Sequence, residues 1–112
     1  LAAALSGHVF HLSTKSSEGT AHVSNGVFIV EKGTKIAKDL TVSCPASVIK
    51  QRKAHADLIE DYVLTGDIAF SSPSAAAGFV AGRSSNGKTM WTTDGNKTIN
   101  DLEEEYRKGK QS

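Results

Sequence analysis

The stretch 71-SSPSAAAGFVAGRSSNGKTMW-91 reads as a helix, a turn and a strand in close succession. Ser72 is suited to cap a helix, and Pro73 to its first position, where a missing N–H costs nothing. Three alanines and Gly78 leave a nearly bare helix surface. Gly82 is placed to end the helix. Asn86-Gly87 is a turn signal that launches a strand, Thr89–Thr93, carrying Trp91.

Outward from this stretch the chain divides into further short elements. Upstream, His8–Ser13 alternates as a strand, with Phe10 and Leu12 on one face and Val9 and His11 on the other. Thr20–Ser24 is a second strand, and Asn25-Gly26 is the strongest hairpin signal in the chain. Val27–Glu31 is apolar on both faces, which predicts a central strand. Leu40, Val42 and Cys44 alternate with polar residues up to Pro45, predicting a short extended segment. Ser47 is placed to cap a long helix reaching about Leu64, with Ile49, Arg52, Ala56, Ile59 and Val63 on one stripe. Asp67–Phe70 reads as a short strand. Downstream, Asp94-Gly95 is a turn. Thr98 and Asp101 form a capping-box-like pair, and Ile99, Leu102 and Tyr106 face inward from the last helix.

Strands first and helices interleaved later do not alternate as doubly wound folds do. The expected fold is α+β: an antiparallel sheet of about five strands with about three helices against it. The expected organisation is a lead-in over 1–7, one domain over 8–108 and a polar tail over 109–112.

The run from Ser71 to Gly87, the later Trp91, and GNKTINDL from Gly95 to Leu102 together resemble the domain-of-unknown-function family 4357. A looser likeness extends through Val27–Thr34 and Arg52–Gly66. The chain also resembles restriction-associated modules found beside DNA methylases. Such modules commonly sit at the C-terminal end of GIY-YIG-type nuclease-like and restriction–modification proteins. In one departure, Lys88 occupies the place where these families usually carry a large aromatic. The resemblance implies an accessory role beside a catalytic domain.

Size and composition set the outer limits. A chain of 112 residues is one domain with a modest core. Its formal net charge of +1 gives no global field toward an anionic polymer. Cys44 is the only cysteine, which excludes an internal disulfide and a Cys-rich metal site and fits a reducing, cytoplasmic setting. No apolar run approaches the ~20 residues that span a bilayer, so no membrane partner is expected. The chain opens on Leu1 and its only methionine is Met90, so it is read as a piece excised from a longer protein.

Three features bear on function. Ser72, Ser74 and the backbone donors at the helix start suit a phosphate oxygen, with Arg83, Asn86 and Lys88 close behind in sequence. Equally, those serines can serve only as caps. Lys32, Lys35, Lys38, Lys50, Arg52 and Lys53 face Asp39 alone over residues 32–53, and Asp57, Glu60, Asp61 and Asp67 follow. Such a dipolar arrangement suits a phosphate backbone on one face; its plain alternative is a solvated lysine-rich surface. Trp91, flanked by Met90, reads as a core residue; exposed, it would stack on a base for roughly 1–3 kcal/mol.

No metal, cofactor or catalytic set is expected. His8 and His11 point to opposite strand faces, no metal-ligand spacing occurs, and no nucleophile elbow or Walker loop is present. The expectation is a non-catalytic nucleic-acid-binding module for DNA. Ser72, Ser74, Arg83, Asn86 and Lys88 would make contacts, and Lys50, Arg52 and Lys53 would add charge. The partners are then DNA and an upstream catalytic domain of the same chain. The alternative is a protein–protein or dimerisation module that docks through the bare surface of Ala75–Ala81.

Overall fold

The computed structural model describes Leu5, residues 7–42 and residues 44–111. The remaining positions of the expected lead-in, Ser43 and Ser112 lie outside the described residues.

Alternation builds the sheet as its sequence pattern predicts. Strands β1 (Val9–Ser13), β2 (Glu18–Ser24) and β3 (Val27–Val30) form an antiparallel meander, and β6 (Ile68–Phe70) joins β3 antiparallel. Phe10 and Leu12 point into the core while Val9 stays exposed. The β2–β3 hairpin turns on Asn25 and Gly26, both at positive φ. β3 lies between β2 and β6, as its two apolar faces predict.

The sheet has four strands rather than about five. The free edge of β1 is closed by a bridge instead: His11 N–H donates to the Thr92 carbonyl (2.7 Å) and Thr92 N–H to the His11 carbonyl (2.9 Å). Thr89–Thr93 is therefore not a strand. Asn86 Oδ1 accepts the Lys88 N–H, and Asn86 caps a short helix, α3 (Gly87–Met90).

The long helix expected from Ser47 to Leu64 is also corrected. Helix α1 covers only Ala46–Ala54, with Pro45 at its N-cap and no side-chain cap. A 3-10 turn (Ala56–Leu58) follows, then a separate hairpin of β4 (Ile59–Glu60) and β5 (Val63–Leu64). Its turn, Asp61 and Tyr62, has positive φ at both positions, which ends any helix. Leu64 anchors the hairpin, accepting from Gly33 N–H and donating to the Thr34 carbonyl, both at 2.9 Å.

Helix α2 (Pro73–Ala81) begins and ends where the sequence predicts. Ser72 Oγ accepts the Ala75 N–H at 3.1 Å, and Gly82 closes the helix in the left-handed region at φ 71°. α2 packs on β3 and β6; α1 and α3 pack on α2, and α4 (Ile99–Gln111) packs on α3. At the start of α4, Thr98 and Asp101 exchange hydrogen bonds of 3.0 and 3.2 Å. The bond from the Thr98 N–H, then that involving its hydroxyl, holds the Asp101 carboxyl below its ordinary 3.8. Ile99 and Leu102 are buried as expected, whereas Tyr106 is exposed.

Between sheet and α2 lies one apolar core. Phe10, Phe28 and Trp91 run in succession with centroids 5.8 and 5.1 Å apart, and Phe70 meets Phe79 at 5.1 Å. Leu5, within the expected lead-in, is fully buried in this core. Among the described residues no helix is long and apolar enough to cross a membrane.

Candidate nucleic-acid interface

The predicted contact residues gather around the two ends of α2, but most are engaged within the chain. At the start, Ser72 is occupied as a cap. Ser74 Oγ accepts the Gly87 N–H at 3.1 Å. Gly87 lies so close that a Cβ there would stand 2.2 Å from the Pro73 carbonyl and 2.4 Å from Ser74 N. Trp91 is fully buried and its Nε1 donates to the same Pro73 carbonyl at 3.0 Å. The start of α2 thus carries α3 directly upon it. Lys88, displayed by α3, pairs with Glu103 at 3.2 Å.

At the other end, the last carbonyls of α2 have no partner within the helix. Arg52 supplies one: its Nε donates to the Phe79 carbonyl and its Nη1 to the Ala37 carbonyl, both at 2.8 Å. The guanidinium also lies 5.4 Å from the Phe79 ring centroid. Burial lowers its pKa from the ordinary value. The sequence predicts surface charge at Arg52; the side chain instead turns inward. Among the described residues it clamps two backbone carbonyls that lack other partners, while its Nη2 is buried without a hydrogen bond. The segment expected to extend through Leu40, Val42 and Cys44 is reshaped by the same demand. Ala37 N–H donates to the Val80 carbonyl (2.8 Å), and Thr41 N–H to the Gly82 carbonyl (3.0 Å). Its backbone follows the helix end rather than a strand, leaving Leu40 and Val42 exposed.

Arg83 stands apart from this closed network. It is exposed and, among the described residues, its guanidinium has neither a carboxylate nor a carbonyl partner. It borders two clefts. One, about 280 Å³, includes Ser47, Ser74, Ser84 and Ser85. The other, about 660 Å³, includes Ser13, Thr14, Lys15, Ser16, Asp39, Thr41, Thr89 and Met90. Of the predicted set, Ser74 and Arg83 share a cleft. Lys50 and Lys53 are exposed on α1. Lys15 and Ser16, at the β1–β2 turn, were not singled out in the sequence, and nothing local in the chain ties them to Arg83.

Two of the histidines have carboxylate neighbours. His11 Nε2 lies 2.7 Å from Asp94 and His22 Nδ1 lies 2.9 Å from Glu31. Among the described residues no three His, Cys, Asp or Glu side chains gather to hold a metal ion.

No curated protein and no solved structure matches the chain. A family model does: the one described as domain of unknown function (DUF4357) matches residues 10–103. That span takes in the meander, both halves of the α1–α2 packing and the Trp91 staple, and on it the chain belongs to this family of unknown function.

Proposed function

We propose that the chain is a non-catalytic accessory module that binds the phosphate backbone of DNA, working in the cytoplasm as part of a larger nuclease or restriction–modification protein. The observation that carries this reading is Arg83, an exposed guanidinium with no partner in the described chain, set between two clefts rich in hydroxyl groups. Guanidinium and hydroxyl donors are the groups that position a protein on a sugar-phosphate backbone. Lys15 adds charge at one cleft, while Lys50 and Lys53 add it from α1. Ser72, Ser74, Asn86, Lys88 and Arg52 leave the contact set, because each already has a polar atom engaged within the chain, in Arg52 the Nε and Nη1. The expected neighbourhood of GIY-YIG-type nuclease or methylase domains supports the same reading by association only.

Titration of a mixed-sequence duplex at low salt tests it. With two to four cations on phosphates, log K falls against log salt with a slope of roughly −2 to −4. Arg83→Ala reduces that slope by about 1 and weakens all sequences alike. A duplex that fails to bind at low salt, or binds unaffected by Arg83→Ala, removes the reading.

The second reading is docking on a catalytic part of the same parent. The alanine surface it relied on is internal, since Ala76, Ala77 and Ala81 are buried and only Ala75 is exposed. What favours it is the exposure of the apolar side chains Leu40, Val42 and Ile49.

A further inference from the structure

The larger cleft beside Arg83 holds a combination of charges that a phosphate backbone alone does not require. Lys15, Arg83 and Asp39 all line it, and all three are exposed. Among the described residues none of the three forms a salt bridge. Unlike charges free to meet gain by pairing. Here they are carried by separate anchored segments. Residue 39 sits against the end of α2, where a Cβ on Gly82 would lie 3.1 Å from the Asp39 carbonyl. Lys15 rides on the β1–β2 turn, closed by the Thr14 N–H to the Ser17 carbonyl at 2.8 Å.

A carboxylate repels a phosphodiester, so Asp39 marks a part of the cleft not built for phosphate. An ionised carboxylate only accepts hydrogen bonds, and its partner must therefore be a donor such as a base amino group or a sugar hydroxyl. Ala81 and Met90 add apolar lining, and a thioether is a favourable neighbour for an aromatic ring. The volume, about 660 Å³, falls inside the range of small-molecule sites, roughly 300–1,000 Å³, whereas the 280 Å³ cleft falls below it.

We infer that this cleft takes one unstacked nucleotide of a nucleic-acid strand. Arg83 and Lys15 hold its phosphate, Met90 lies against the base, and Asp39 accepts a hydrogen bond from a base amino group or sugar hydroxyl. This rests on the nucleic-acid reading above and adds that the strand presents an unpaired nucleotide. Taking a base out of a duplex costs least where it is already unpaired, so affinity should follow pairing state.

Three probes at low salt test this: a fully paired duplex, the same duplex with one nucleotide opposite an abasic site, and free nucleoside monophosphates. The unpaired nucleotide should raise affinity at least about tenfold. Asp39→Ala, which removes the acceptor, should abolish the difference between the unpaired and the paired duplex, and Arg83→Ala should weaken both. Thermal melting of each variant confirms that the fold is retained. Paired and unpaired duplexes that bind alike, both sensitive to Arg83→Ala, overturn the nucleotide pocket and leave backbone binding standing. Failure of every probe to bind overturns both. Monophosphates that bind as tightly as the unpaired duplex overturn the assignment to a strand.

Discussion

α1 and α2 are both nine residues long, and they are held in opposite ways. α2 is buried on nearly every side, begins with a serine cap and ends on a left-handed glycine. α1 begins at Pro45 without a side-chain cap and buries only Val48. What fixes α1 is Arg52, through carbonyls contributed by Phe79 and Ala37. One helix is fixed by its own ends and its apolar faces; the other is tied on by a charged side chain. Helical propensity alone would not separate them, since isolated helices of this length are marginal in water.

The largest test of this contrast lies where α3 sits on α2. Gly87→Ala places a methyl group 2.2 Å from the Pro73 carbonyl, against backbone that has no side chain to yield. We expect a loss of at least about 3 kcal/mol in urea unfolding, or failure to fold. A smaller loss would mean that α3 is not seated on α2 as described.

Next is the clamp. Arg52→Met keeps the apolar stem and removes both donors, leaving the Phe79 and Ala37 carbonyls without them. The expected loss is about 1.5–3 kcal/mol, the range for hydrogen bonds involving a charged group. Arg52→Lys should recover only part of it, because one ammonium does not reproduce a planar fork that spans two carbonyls. Full recovery by lysine would reduce the clamp to a matter of charge.

The smallest effects compare the two helix starts directly. Ser72→Ala should cost about 1 kcal/mol, since the hydroxyl caps Ala75 N–H. Ser47→Ala should change stability by less than about 0.5 kcal/mol, since α1 has no side-chain cap. Equal costs would erase the distinction. The cap of α4 gives the same comparison a pH axis. Asp101 is held below its ordinary 3.8 in the folded chain, so its contribution is present above pH 3.8 and is lost as pH falls through the lowered value. Asp101→Asn should flatten that part of a stability-against-pH curve.

Where the fold departs from the local pattern, a distant partner is the reason. Ile59 and Val63 are spaced as helix neighbours, but they belong to a hairpin whose Asp61-Tyr62 turn lacks the usual asparagine or glycine signal. Asn86-Gly87 suggests a turn that launches a strand, but Asn86 caps a short helix and the glycine serves close backbone approach. Trp91 is core, as its flanking Met90 suggests. Arg52 was legible as a cation, but not as one directed inward, because the carbonyls it meets lie 15 and 27 residues away.

Local chemistry alone determined the meander with its Asn25-Gly26 turn, the limits of α2, the Thr98–Asp101 box and the α+β class. Each depends on hydrogen bonds or side-chain alternation within a few residues. Only the tertiary structure decided the four-strand count, the inward course of Arg52, the closure of the α2 start by Gly87, and the cleft that brings Lys15 and Asp39 beside Arg83. Those outcomes depend on which backbone groups are left unpaired once the elements are packed, and a group's remaining need for a partner is set by the whole fold.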